Sequence, residues 1–321
     1  MIRAFAIEPE GLRAAPLEAL SPDRPAWVDL YAPSAEERRQ IAGRFGLFLP
    51  SREEMEEIEI SSRLYRRDGA LYMTAVLPAG EDGVSVGPVV FILHRALLVT
   101  LRHLDPAPFG IVAERLETAA PRPPTAAGVL LALLDGVVDR LADTLEATTS
   151  GIDRLSARIF RHASPEPRGG EELRSVLGEL GRRGTLLSDI RESLVSLQRL
   201  VLYCRDEISG RENARRLRSG LETLSADIAS LADHAGFLSQ EIGFLLDATL
   251  GFINIEQNTT IKIFSVIAVI FLPPTLVASI YGMNFRFMPE LSWVFGYPLA
   301  LLLMLLSALL PYRWFKRRGW L

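Results

Sequence analysis

Residues 261–321 hold two apolar segments in close succession, and no other feature limits the fold of this chain so severely. The first, "IKIFSVIAVIFLPPTLVASIY" at 261–281, has one charge, Lys262; the second, "WVFGYPLALLLMLLSALLPYRWF" at 293–315, also has one, Arg313. A helix rising ~1.5 Å per residue needs about 20 residues to cross ~30 Å of hydrocarbon. A soluble core can hide one such helix, but two in succession predict a pair of membrane spans. Pro273 and Pro274 would break an exposed soluble helix. In a span they are tolerated, because neighbouring groups satisfy the freed carbonyls.

Charge sets the expected orientation. The 321 residues include 35 basic and 39 acidic ones. Beyond residue 260 the charges are Lys262, Arg286, Glu290, Arg313, Lys316, Arg317 and Arg318, which leaves 29 basic and 38 acidic residues in 1–260. An acidic body therefore precedes an apolar tail with a basic end, and no concentrated basic face is offered to nucleic acid. Positively charged flanks stay inside. Both termini and the body are expected in the cytoplasm, in a multi-pass protein of the cell (inner) membrane, with only the loop after Tyr281 facing out. Trp293, Tyr297, Tyr312, Trp314 and Trp320 suit interfacial anchoring. The start "MIRAFAIEPEG" shows no apolar stretch after a basic one, so no cleavable signal is expected. The single cysteine, Cys204, excludes an internal disulfide and reads as a buried helical side chain.

Three regions follow: an α/β domain at 1–125, a helical and stalk region at 126–260, and a two-span domain at 261–321. In the first, "AFAIE", "AWVDLY", "ALYMTAVLP" and "VVFILHRALLVTLRH" read as strands, the last as a hairpin turning near His94 and Arg95. Ser34 with Glu37, and Ser51 with Glu54, have capping-box spacing and start two helices. The run "EEMEEIE" reads as a solvated helix face. "DPAPFG", "PRPPT" and "RHASPEPRGG" punctuate the chain; 126–160 and 171–208 read as long helices. From Arg211 to Tyr281 no proline occurs before Pro273, so one helix is expected to run from the body into the first span.

Steps of four and three residues along that helix meet Asp247, Gly251, Asn254, Asn258, Ile261, Ser265, Ala268, Leu272, Thr275 and Ser279. This face is small or polar, between flanks rich in Phe and Ile. Such a face allows close helix packing. In several symmetric copies it would line a pore, and the aspartate and two asparagines at the membrane edge favour the pore. Ile261, Phe264 and Leu272 would be its apolar constrictions. The four histidines, His94, His103, His162 and His234, lack metalloprotease spacing, and no phosphate-binding loop or nucleophile elbow is present, which argues against an enzyme.

"YGMNF" followed by "MPEL", "GYP" and "FKRRGWL", with "LLDATLGFINIEQN" leading into the first span, resembles the CorA family of magnesium and cobalt transport proteins. The resemblance implies a funnel-shaped homopentamer in which a cytoplasmic α+β domain precedes a long helical stalk and two transmembrane helices. It implies uptake of divalent cations (Mg2+, with Co2+ and Ni2+), driven by the membrane potential. The outer selectivity ring maps onto Gly282, Met283 and Asn284, and the pore positions include Asn258, Asp247 and Thr275. Gly282 is expected to permit a tight turn, and Asn284 to recognise a hydrated ion, since Mg2+ sheds water reluctantly. Closure by cytoplasmic Mg2+ is implied as well. The family's regulatory stalk position falls on Thr223, which leaves Glu222 and Asp227 as neighbouring candidates. Two other readings stand beside this one: a zinc or nickel transporter of the same superfamily, and a membrane-anchored sensor without flux.

Overall fold

The strand runs assemble into one seven-stranded sheet. The computed structural model describes every residue except 22, 58, 81–84, 119–124, 161–169, 209–213, 285–287 and 321. "PRPPT" and "RHASPEPRGG", almost entirely, and His162, Arg211 and Arg286 thus lie outside the described residues. The strands are β1 (Ile2–Glu8), β2 (Gly11–Ala14), β3 (Ala26–Tyr31), β4 (Leu64–Arg67), β5 (Ala70–Ala79), β6 (Ser85–His94) and β7 (Leu97–Arg102). Their order is β2-β1-β3-β7-β6-β5-β4, with β3 and β7 parallel and every other neighbouring pair antiparallel. The β6–β7 hairpin turns at Arg95, whose φ of 50° is left-handed.

Alternation along the central strands feeds two cores. Val28, Leu30, Ile92, Val99 and Leu101 lie on one face with Ile41 and Phe45 of helix α1 (Ala35–Phe45). On the other face Phe91 stacks on Phe109 of α4 (Ala107–Thr118), with ring centroids 6.1 Å apart. That face also buries a charge. Asp29 accepts from Arg3 Nη2 (3.0 Å), Arg102 Nη2 (2.9 Å) and Thr100 Oγ1 (2.8 Å). Arg102 in turn reaches Asp105 and lies over the rings of Tyr31 and Phe109. A buried carboxylate is tolerated only with such partners.

Both capping boxes form: Ser34 opens α1, and Ser51 opens α2 (Arg52–Glu56). The helix read through "EEMEEIE" is short, however, because Glu57 is already non-helical and the buried Met55 pins the single turn to the core. "DPAPFG" is less a break than a start. Pro106 accepts from Phe109 N, and Pro108 sits in the first turn of α4, where its missing N–H has no helical partner to lose.

A single-turn helix, α3 (Ile60–Arg63), leads into β4. Three long helices follow β7 and α4: α5 (Ala126–Phe160), α6 (Gly170–Ile208) and α7 (Ala214–Tyr281). Cys204 is buried on α6, as expected. The chain divides into two compact units, Met1–Phe160 with Gly178–Leu245, and Arg161–Leu177 with Leu246–Leu321. The last helix, α8, spans Gly296–Arg317, so Trp293 precedes it. A 3-10 turn at Pro289–Ser292 and the bond from Gly296 N to Trp293 O (2.9 Å) occupy the chain up to that point.

Candidate functional site

Helix α7 is continuous for 68 residues through Pro273 and Pro274. Among the described residues, its last part and α8 are the two helices long and apolar enough to cross a bilayer. Along α7 within this unit, coverage is one-sided. Val266 is 1% exposed, and Ile270, Pro273, Val277 and Tyr281 on the same side are half-buried. Ile261 (61%), Phe264 (68%) and Leu272 (66%) are open. At 100° per residue the covered face and the polar stripe lie roughly 180° apart.

The stripe residues Asp247, Asn254, Asn258, Ser265, Ala268 and Thr275 are all exposed. Four of the stripe positions, Ala268, Leu272, Thr275 and Ser279, line one shallow hollow of about 360 Å³ with Phe271 and Leu276. Thr275 Oγ1 donates to Phe271 O at 2.7 Å, so its proton is engaged within the helix while its oxygen can still accept. Thr259 and Thr260 make the same bond to the carbonyls of Ile255 and Glu256.

The helix ends at the predicted tripeptide. Gly282 N donates to Ala278 O (3.0 Å) and Met283 N to Ile280 O (3.2 Å). Gly282 is not among the left-handed glycines. A Cβ at this position would meet Ala278 O at 3.2 Å and Ser279 O at 3.6 Å, so a side chain here requires the Ala278 carbonyl to give by a few tenths of an ångström. Met283 and Asn284 are exposed, and the Asn284 amide makes no hydrogen bond among the described residues. Phe285, Arg286 and Phe287 lie outside them.

The C-terminus carries a feature not foreseen from the sequence. Gly319 (φ 70°) turns the chain so that Trp320 N donates to Phe315 O at 3.1 Å. The Trp320 ring then lies 5.5 Å from Phe315 and 5.8 Å from Lys262 Nζ, next to Ile261. A glycine directly after a basic helix end, in "FKRRGW", was the available signal.

The two stalk candidates do not come together. Glu222 is ion-paired with Arg218 at 3.1 Å. Asp227 is five residues further on, about 140° around the helix. It is close to Asp135 of α5, whose carboxyl burial pushes above the usual range, with Asp139 and Asp227 adding to the shift and Arg115 opposing it. Among the described residues no three His, Cys, Asp or Glu side chains are grouped to hold a metal. His234 meets Thr149 Oγ1 at 3.2 Å, a structural contact between α7 and α5.

An N-terminal α/β domain, a long helix and two apolar C-terminal helices define a class of two-span membrane protein. Residues 23–317 match the family model described as CorA-like Mg2+ transporter protein, and the chain belongs to that family. It is 37% identical over 324 residues to the magnesium transport protein CorA of Escherichia coli K12, covering all of both chains. The CorA of Salmonella typhimurium LT2 is likewise 37% identical over the full length of both. Among solved structures, the complete CorA magnesium transporter from Methanocaldococcus jannaschii matches with a TM-score of 0.78 at 19% identity, covering 100% of this chain and 99% of that one.

Proposed function

We propose that this protein carries Mg2+ across the cell (inner) membrane, as an ion channel formed by five identical copies around one axis. The observation that carries this reading is the exposed small and polar face of α7, which lies opposite the covered face and leads to the Asn284 loop. Two spans per chain are too few to enclose water, so the stripes of several copies would have to meet. Asn254, Asn258 and Asp247 would then accept hydrogen bonds from a hydrated cation. Ile261, Phe264 and Leu272 would close the path by dewetting.

At the outer end, the free amide oxygens of Asn284, held by the helix end at Gly282 and Met283, would bind the water shell of the ion rather than the ion itself. That chemistry suits Mg2+, which prefers octahedral oxygen and dehydrates reluctantly. Co2+ and Ni2+ have similar hydrated forms and would follow. The driving force is an inside-negative potential, ~2.3 kcal/mol per charge per 100 mV. Both termini would be cytoplasmic, in keeping with the basic end at Lys316, Arg317 and Arg318. Cytoplasmic Mg2+ would close the channel. Of the two candidates Asp227 is the better ligand, since Glu222 is held by Arg218.

Magnesium influx into proteoliposomes with an inside-negative potential tests the reading, wild type against Asn284→Ala. Influx that grows with potential and is lost in the assembled variant supports it. Equal influx would remove the role given to Asn284, and none in wild type at low internal Mg2+ would favour a tethered sensor. Saturation by Zn2+ in preference to Mg2+ would move the protein to the zinc and nickel branch.

A further inference from the structure

Strand β4 pairs with β5 only from Ala70 to Met73, so on that side β5 beyond Met73 has no neighbouring strand among the described residues. Helix α6 crosses that edge, and Ser196 Oγ accepts from Val76 N at 2.9 Å. Between the end of α3, the start of β4 and α6 lies a hollow of about 380 Å³ lined by Arg63, Leu64, Thr74, Arg191, Glu192, Val195, Ser196 and Arg199. Small-ligand sites have volumes of about 300–1,000 Å³.

The charge of this lining opposes that of its surroundings. Residues 1–260 hold 29 basic and 38 acidic side chains, yet three arginines face one glutamate here. Arg191 and Arg199 make no ion pair among the described residues, and Arg63 spends only Nε, on Glu57 O at 2.6 Å. Arg191, Val195 and Arg199 recur every four residues and so share one side of α6. Thr74 and Ser196 are buried at the floor of the hollow, the Ser196 hydroxyl engaged by Val76 N and Ser193 O, while Val195 stays exposed between the two cations. Guanidinium forks in a concave site match oxyanions, and several forks match an anion with more than one charged group.

We propose that this hollow binds a soluble phosphate-bearing anion with at least two charged groups, such as a diphosphate or triphosphate. The bound anion would act on α6, whose Gln198 Nε2 donates to Ser225 Oγ of α7 at 2.8 Å. Ligand binding in the body would thereby bear on the helix that continues to Tyr281.

The test is calorimetric titration of the full-length, detergent-solubilised protein with inorganic pyrophosphate in magnesium-free buffer. Saturable binding is expected, displaced by ATP and not by adenosine. The Arg191→Gln, Arg199→Gln double variant should bind at least about tenfold more weakly, the loss that removal of a charge-assisted contact brings. Arg182→Gln, on the same helix outside the hollow, should bind as wild type does. Should the double variant fail to assemble, Arg199→Lys keeps the charge, loses the fork, and should weaken binding on its own. No saturable binding by wild type overturns the proposal, as does unchanged affinity in R199K and in the double variant. Wild type silent to pyrophosphate, with a smaller oligomer on removing the arginines, would assign the surface to a second copy instead.

Discussion

The sheet domain and the paired apolar helices satisfy their side chains in opposite ways. In the sheet, Asp29 is fully buried and fully answered by Arg3, Thr100 and Arg102, and the large apolar residues face inward. In the helical pair the large apolar residues face outward, and a row of small and polar residues is equally uncovered. The first region is complete as a single chain. The second has two uncovered surfaces of different chemistry, one fit for lipid and one for water or for its own copies.

Four substitutions would break or sharpen that contrast. Asp29→Ala leaves the charges of Arg102 and Arg3 without their buried partner and should cost the body about 3–5 kcal/mol. The denaturation midpoint of the full chain measures it, and an unchanged midpoint would deny that the body is held by internal satisfaction. Ala268→Phe, in the stripe, should instead leave the midpoint near wild type and reduce magnesium influx by about an order of magnitude or more, since it narrows a path rather than a core. A lost fold with no plugged path would make the stripe a packing face. Gly282→Ala should lower influx partially, because its Cβ must shift Ala278 O from 3.2 Å, and the change should be smaller than that of Asn284→Ala.

The smallest effect concerns Asp135. Its raised pKa means that the folded chain holds this proton more tightly than the unfolded one, so stability falls as pH rises through that range. Asp135→Asn should therefore raise the melting temperature slightly at neutral pH and change nothing in acid, where the wild-type carboxyl is already neutral. An increase that persists in acid would point to packing in place of charge.

Much of this was legible in the residues. The capping boxes are local, with donor and acceptor three positions apart, so Ser34 and Ser51 announced their helices. Helix α7 was visible through the lack of proline before Pro273 and through the apolar run that follows. The α4 helix was hidden because Pro106 and Pro108 punctuate a loop and open a helix equally well. The Asp29 cluster joins residues 3, 29 and 102, which meet only through the registers of β1, β3 and β7. The arginine hollow joins position 63 to 191 and 199 in the same long-range way. Within the candidate site, the stripe was readable from periodicity, whereas the close approach of Ala278 O to Gly282 is an interatomic distance that no sequence pattern encodes.

The continuity of α7 also constrains how this chain can change over generations. Its buried positions Leu221, Leu224, Ile228, Ala235, Leu238, Ile242 and Leu245 and its open positions from Asp247 to Ser279 belong to one uninterrupted helix. One residue inserted between the two sets would rotate every later position by ~100°, while seven would shift the phase by only about 20°. Point substitutions in this stretch are graded, but its length is quantised: a lineage can gain or lose two whole turns there far more readily than a single residue.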